Sequence, residues 1–305
     1  MKKTAIFFLT ALAVLTRVFT FGQEDKEFVN DDIPAKEERK YVSETFSNVH
    51  VINGHSTQTL KKREWRYIIA HRFGDALGDN GGIQTAFGFD NASDIRIGFD
   101  MGLTDNLMIG IARLKGAAQP YRSILEGFAK YRFLTQTENN EIPVSAAFTG
   151  TIYGTYMPKS ENIASVTHFD RFEHRIMYAS QLSISRKLHP RFSVILMPTY
   201  VHRNLVEQND QNGLFALGGA ARVRVSKSIG LIGEYFYTFS KPDLREGYKN
   251  SLGLALEWIT NGHHFTFNFT NSRGFGELQY IALTEADWLE GEFRLGFTIT
   301  RTFKY

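Results

Sequence analysis

The last thirteen residues, FRLGFTITRTFKY (Phe293–Tyr305), decide how the rest of the chain is read. Every odd position from Phe293 to Tyr305 is apolar or aromatic except Arg301, and every even position is polar, charged or glycine. A strict period of two is the mark of a β-strand with two unlike faces. A strand of this kind that ends on an aromatic residue is expected to be the closing strand of a β-barrel.

Composition agrees. Only 43% of the 305 residues are hydrophobic, so a helical membrane protein is excluded, yet 14% are aromatic and 26 are Phe, a heavy load for a soluble chain. A net charge of +3, evenly spread, gives no basis for nucleic-acid binding. The absence of cysteine excludes a disulfide framework, thiolate zinc sites and a lipidated N-terminal Cys. Lys2 and Lys3, the apolar run Ala5–Leu15 and the small residues Thr20 and Gly22 before Gln23 predict a signal peptide over 1–22. Residues 23–62 read as a charged periplasmic leader, within which Val49–His55 is either a short strand or a plug-like contact.

From about residue 63 the period-two pattern is continuous, and twelve strand-like runs fill 63–305. Their connections alternate in length. Short links fall at 104–106, 187–190, 226–228 and 261–262, with 135–141 somewhat longer. The opposite set, 74–92, 157–170, 204–212, 240–248 and 272–289, is long and polar, and only 116–120 is brief. This asymmetry predicts an all-β fold: a single antiparallel transmembrane β-barrel with short periplasmic turns, longer extracellular loops and both termini in the periplasm. Three turns fix registers. Asn261-Gly262 sets Trp258 opposite Phe265, Leu256 opposite Phe267 and Leu254 opposite Phe269. Ser226–Ser228 sets Val223 opposite Leu231 and Gly219 beside Tyr235. Thr104–Asn106 sets Met101 opposite Ile109 and Phe99 opposite Ile111. Each turn gathers apolar residues on one face, and a one-residue slip would scramble them.

Alternation alone does not say which face looks outward. The export signal, the small residues of the polar face and the aromatics near strand ends (Trp65, Phe73, Tyr131, Phe133, Tyr200, Phe239, Trp258, Phe303, Tyr305) place the apolar face in lipid. Arg301 then lies on the lipid face near an interface, where it can snorkel. The inward charges Arg66, Arg72, Arg96, Asp100, Glu126, Arg222, Glu234, Glu257 and Arg294 are the candidate solute path. Arg66, Arg72, Arg96 and Arg294 come from three adjacent strands once the barrel closes. They either form a basic sector that attracts anions or pair with carboxylates to fill the interior. His71, on the outward face, is a rim element. His168, Asp170 and His174 share one face if extended, with His202 or Arg203 near His174, which would suit a metal, but a polar loop leading into a strand is the better reading. No catalytic, cofactor or metal residue is assigned: GxSxG, HExxH and Walker elements are missing, and no register forces a Ser–His pair together.

The stretch HRFGDALGDNGG (71–82), followed by FGFDNASDIRIGFDMGLTDNLMIGIAR (87–113), with INGHSTQTLKK (52–62) before it and EGFAKYRFLTQ (126–136) and IPVSAAF (142–148) after it, resembles a Bacteroidota family of membrane-bound β-barrel proteins of unknown function. The resemblance spans Val51 to the C-terminus and implies an outer-membrane barrel, with no substrate or catalytic residue to carry over. Two functions remain open: a passive channel for small, anionic solutes, or a non-conducting barrel that binds or scaffolds through its extracellular loops. A rim enzyme is a third, weaker reading. The partners expected are membrane lipid, the assembly machinery through the C-terminal strand and a small solute.

Overall fold

The computed structural model describes residues 39–91, 94–116, 120–241 and 243–305. The signal-peptide reading over 1–22, and the leader as far as residue 38, lie outside them. The unit Lys40–Tyr305 is one closed antiparallel barrel of twelve strands. In chain order these are β1 (Glu64–Asp75), β2 (Asp94–Gly102), β3 (Leu107–Lys115), β4 (Ser123–Leu134), β5 (Ser145–Thr155), β6 (Ile176–His189), β7 (Phe192–Arg203), β8 (Gly213–Arg224), β9 (Ile229–Phe239), β10 (Ser251–Ile259), β11 (His264–Thr270) and β12 (Arg294–Lys304).

Turn chemistry and pattern fix the pairing as they should. Trp258 faces Phe265, Leu256 faces Phe267 and Leu254 faces Phe269. Val223 faces Leu231 and Gly219 faces Tyr235. Met101 faces Ile109 and Phe99 faces Ile111. β12 closes on β1 with Trp65 opposite Phe303, whose rings stack with centroids 4.2 Å apart. One register differs from expectation. β6 continues to His189, so only Pro190 and Arg191 separate it from β7. The pairing then shifts by three residues, bringing His202 opposite Tyr178 and Arg203 opposite Met177, well away from His174.

Polarity is inside out. Phe267 and Phe269 are 47% and 42% exposed, whereas Arg222 is 4% and Glu257 0% exposed. In water this arrangement would leave an apolar belt bare and bury charge. In a bilayer it satisfies both surfaces, because the strands hydrogen-bond to one another and lipid covers the belt. The short connections and the β1/β12 ends share one rim, here the short-turn rim. The long connections form the other, the long-loop rim.

Candidate functional site: a lumen closed from both ends

The interior is occupied by the protein's own chain. Two segments enter it, one from each rim. From the short-turn rim, residues 44–60 run into the barrel and bury Phe46, Val51, Asn53, His55 and Thr57. From the long-loop rim, residues 272–284 fold inward and bury Phe275, Glu277, Leu278, Tyr280, Ile281 and Ala282. Residues 39–62, expected to be a charged periplasmic leader, are thus partly inside, and of the two readings of Val49–His55 the plug-like contact is the one that forms, as a tight turn closed by the Val51–Gly54 hydrogen bond and a His50–His55 bridge. Loop 272–289, expected to be a polar extracellular loop, turns its apolar residues into the lumen instead.

The entering segment begins where it docks on the wall's rim. Lys40 and Val42 exchange main-chain hydrogen bonds with Glu138 and Gln136, 2.9 Å each. The connection after β4, the longest of the short set, is long because it forms this landing. Beyond it the chain passes so close over Gly102 that the Lys61 carbonyl occupies the place of any Cβ there. A glycine is needed at such a close approach.

Inside, the turn is held by side chains of the wall. The Ile52, Asn53 and Gly54 N–H groups donate to the Glu234 carboxylate at 3.2, 2.8 and 3.1 Å. Successive amides converging on one anion form a nest, here occupied by a wall residue. At the open end of the same turn, the Lys130 ammonium donates to the Val49, Ser56 and Gln58 carbonyls at 2.8, 3.0 and 3.3 Å. Gln181 and Ser183 donate to the His55 carbonyl at 2.8 and 2.7 Å. Ser185 bonds the hydroxyls of Thr45 and Thr57 at 2.8 and 2.6 Å. Main-chain groups taken out of water need such partners, and three strands, β4, β6 and β9, supply them. Apolar packing finishes the tip: a Cβ on Gly54 would lie 2.7 Å from Met197 Sδ and 2.8 Å from Phe236 Cζ.

All nine inward charges named from the sequence are buried. Arg66 pairs with Asp100, Arg96 with Glu126, Arg222 with Glu257 and Arg294 with Asp75. Arg72 reaches Asn53 of the leader and the Ser272 and Gly274 carbonyls of the loop, with Phe275 stacked 4.4 Å from its guanidinium. Five of the nine touch the leader: Arg66 at Asn48, Arg72 at Asn53, Arg222 at Glu44, Glu257 at Ser47, and Glu234 at the turn. Arg66, Arg72, Arg96 and Arg294 do come together, but Arg66, Arg96 and Arg294 each pair with a carboxylate, and Arg72 stands opposite Asp94 in the β1/β2 register.

The two segments meet at His55, whose Nε2 is 3.5 Å from Glu277 Oε1. Glu277 also accepts from Tyr153 and, at 3.4 Å, from Thr151. His50 and His55 stack on each other with centroids 4.4 Å apart, beside Phe128. Both imidazoles are held well below their ordinary pKa of 6.5, chiefly by removal from water. For His50 the proximity of His55 is the next cause, and for both the positive field of Lys130, Arg96 and Arg66 adds to it.

Some expected contacts do not form, and one unexpected contact does. His174 sits in a single 3-10 turn, Phe172–Arg175, rather than in extended chain. It therefore does not share a face with His168 and Asp170, which contact each other at 3.1 Å while Asp170 also binds Lys159. Glu173, in the same turn, is exposed. His71 points outward, its ring 4.8 Å from that of Phe73. The fold brings Ser47 to His264 at 2.9 Å, a pairing hidden from sequence because the leader's position was unknown. Glu257 contacts the same Nε2 at 3.3 Å, and Asn48 lies on Nδ1. A relay needs the carboxylate on the far nitrogen, so this cluster is a polar clasp on the leader.

Among solved structures, the chain is similar to the NanC porin (7% identity, TM-score 0.47, covering 79% of this chain and 100% of that one). It is also similar to the KdgM porin in complex with disordered oligogalacturonate (11%, 0.47, 79% and 99%). A third likeness is to outer membrane phospholipase A from Escherichia coli (13%, 0.42, 80% and 91%). Each is a likeness of fold. No curated protein matches. A family model described as a membrane bound beta barrel domain matches residues 46–303, so its span takes in most of the entering leader as well as the wall. The protein is an outer-membrane β-barrel, and it belongs to this membrane-bound β-barrel domain family, DUF5777.

Proposed function

We propose that this barrel is a gated channel for small polar solutes, closed in the conformation described by residues 44–60. The short-turn rim faces the periplasm and the long-loop rim the outside, following the asymmetry of such barrels. A cleaved signal over 1–22 and a Bacteroidota source, suggested by the stretch at 71–82, complete the reading.

The observation that carries it is how the charges are divided. The wall neutralises itself through Arg66–Asp100, Arg96–Glu126, Arg222–Glu257 and Arg294–Asp75. The seated residues 45–60 contain no Asp, Glu, Lys or Arg. Their withdrawal leaves those four wall pairs intact, costs only the ion contacts of Glu44 with Arg222 and Arg224 and of His55 with Glu277 among the described residues, and exposes polar groups that water can serve. The nine inward charges line the path, and because they are largely paired, solutes of either sign fit it.

A second reading, a permanently closed barrel acting through its loops, draws support from residues 272–284, which fill the other half with apolar side chains. Neither reading includes a catalytic step, consistent with the Ser47, His264 and Glu257 geometry. Single-channel recording decides between them. The full mature chain should be silent or open rarely, and a chain lacking residues 40–60 should give discrete conductance steps. Silence from a truncated barrel that still migrates as a folded, heat-modifiable species would leave the closed barrel standing.

A further inference from the structure

The outward residues at the long-loop ends of the strands are mostly aromatic, as at Phe73, Tyr178, Tyr200, Phe215, Phe239 and Phe269. β3 breaks this girdle. Its outward positions end in Arg113 and Lys115, both exposed. They lie two residues apart on one face, roughly 7 Å along the strand. Their cross-strand neighbours are Ile97 and Leu125 for Arg113, and Ile95 and Ser123 for Lys115. No acidic side chain stands beside them, and neither makes an ion pair among the described residues. Arg113 lies 5.9 Å over the ring of Tyr156, which holds its guanidinium on the lipid side of the wall.

Two unpaired cations on the lipid face of a barrel are costly in hydrocarbon and tolerable only at headgroup level. They become favourable where an anion meets them, and a planar guanidinium beside an ammonium suits phosphate oxygens. The membrane component that presents fixed phosphates at the outer rim of such a barrel is the phosphorylated glycolipid of the outer leaflet. We propose that Arg113, Lys115 and Tyr156 form a docking site for the phosphate and sugar of this glycolipid, with the two cations on the phosphate and the phenol ring against the sugar face. The site does not depend on whether the lumen opens. It rests only on the orientation that puts the long-loop rim outside.

Native mass spectrometry of the full barrel in detergent, with purified phosphorylated lipid A added, tests it. One lipid should stay bound to the parent protein. The double variant Arg113→Gln/Lys115→Gln should lose binding at least tenfold while keeping its heat-modifiable mobility, since both side chains point away from the protein. Arg301→Gln, at the opposite rim, should bind as the parent does. Equal retention by the double variant overturns the site. So does equal retention of dephosphorylated lipid A or of phosphatidylglycerol, because the phosphate or the glycolipid would then not be what is recognised. Loss of binding in Arg301→Gln instead would show the orientation reversed, while conductance of the truncated barrel would be untouched.

Discussion

The two segments that close the lumen differ in how they are built. Residues 272–284 are tied at both ends between β11 and β12 and bring their own apolar core: Leu278, Tyr280 and Ile281 pack on the wall, with Tyr280 5.0 Å from Phe236 between ring centroids. Their polar anchors come from the wall, through Arg72, Thr151 and Tyr153, and from neighbouring loops. Arg245 donates to the Ala282 carbonyl and pairs with Asp210, which also holds Arg203. Residues 44–60 are covalently joined to the wall at one end only, before β1, and are held at the other by the hydrogen bonds of Lys40 and Val42 and by Glu44 on Arg222 and Arg224. Their anchors are polar side chains reaching in from distant strands, and most of what those side chains grip is main chain. A segment held by apolar burial resists water. One held by hydrogen bonds can exchange them for water at modest net cost. The difference marks the leader as the part that yields first and the loop as the part that yields after it.

Substitutions can sharpen that contrast, beginning with the largest effect. Glu234→Leu strands three amides of the turn and should weaken seating on the order of 4 kcal/mol, at roughly 1–3 kcal/mol per unsatisfied group. Hydrogen exchange should show residues 49–56 losing protection while 277–283 keep theirs. Gly54→Phe places a ring where Met197 and Phe236 already stand. Overpacking of this kind costs about 3 kcal/mol and should expel the tip without disturbing the far segment. Equal loss of protection in both segments would merge them into one unit and contradict the contrast.

Acid should act in the same direction. His50 and His55 have depressed pKa values when seated and return to about 6.5 when released, so the released state binds more protons. Seating is therefore at full strength above pH 6.5 and weakens as pH falls below it, by up to about 1.4 kcal/mol per pH unit for each histidine. Opening frequency measured against pH should rise below that value in the parent and stay flat in His50→Gln/His55→Gln. The smallest effect is expected from Arg245→Ala, about 1.5 kcal/mol on the loop alone, seen as faster exchange at 280–284. Should it loosen residues 49–56 more than the loop, the anchors have been misassigned.

Much of the fold was legible in the sequence because barrel strands obey local rules. The Asn261-Gly262 turn and the alternation of Leu254, Leu256 and Trp258 determine both register and face, and no distant residue can alter either. The link at 187–190 was misjudged for a local reason: Lys187, Leu188 and His189 are neither clearly turn nor clearly strand residues, and Pro190 drew the turn inward. The inward orientation of the nine charges follows from alternation alone, but their partners do not, since pairing across a lumen depends on what fills it. The leader's seat was the hardest to see. Its anchors Glu234, Lys130 and Gln181 lie on strands far apart in sequence, and its own alternation lasts only from Val49 to Val51. One signal was nevertheless present. Residues 45–60 carry no charge between Glu44 and Lys61, in a protein whose flanks there are dense with it. An uncharged, hydroxyl- and amide-rich stretch beside a barrel of charged interior is what a seated segment should look like. Phe275, Leu278 and Ile281 similarly marked their loop as too apolar for open water.

The natural absence of cysteine allows the central claim to be tested on a single molecule. With Gly54→Cys and Met197→Cys introduced together, the tip of the leader can be locked to the wall by oxidation and released by reductant during one recording, at about pH 5 where protonated histidines favour release. The account predicts a silent oxidised barrel and discrete conductance steps after reduction. Identical silence, or identical conductance, in both states would contradict it.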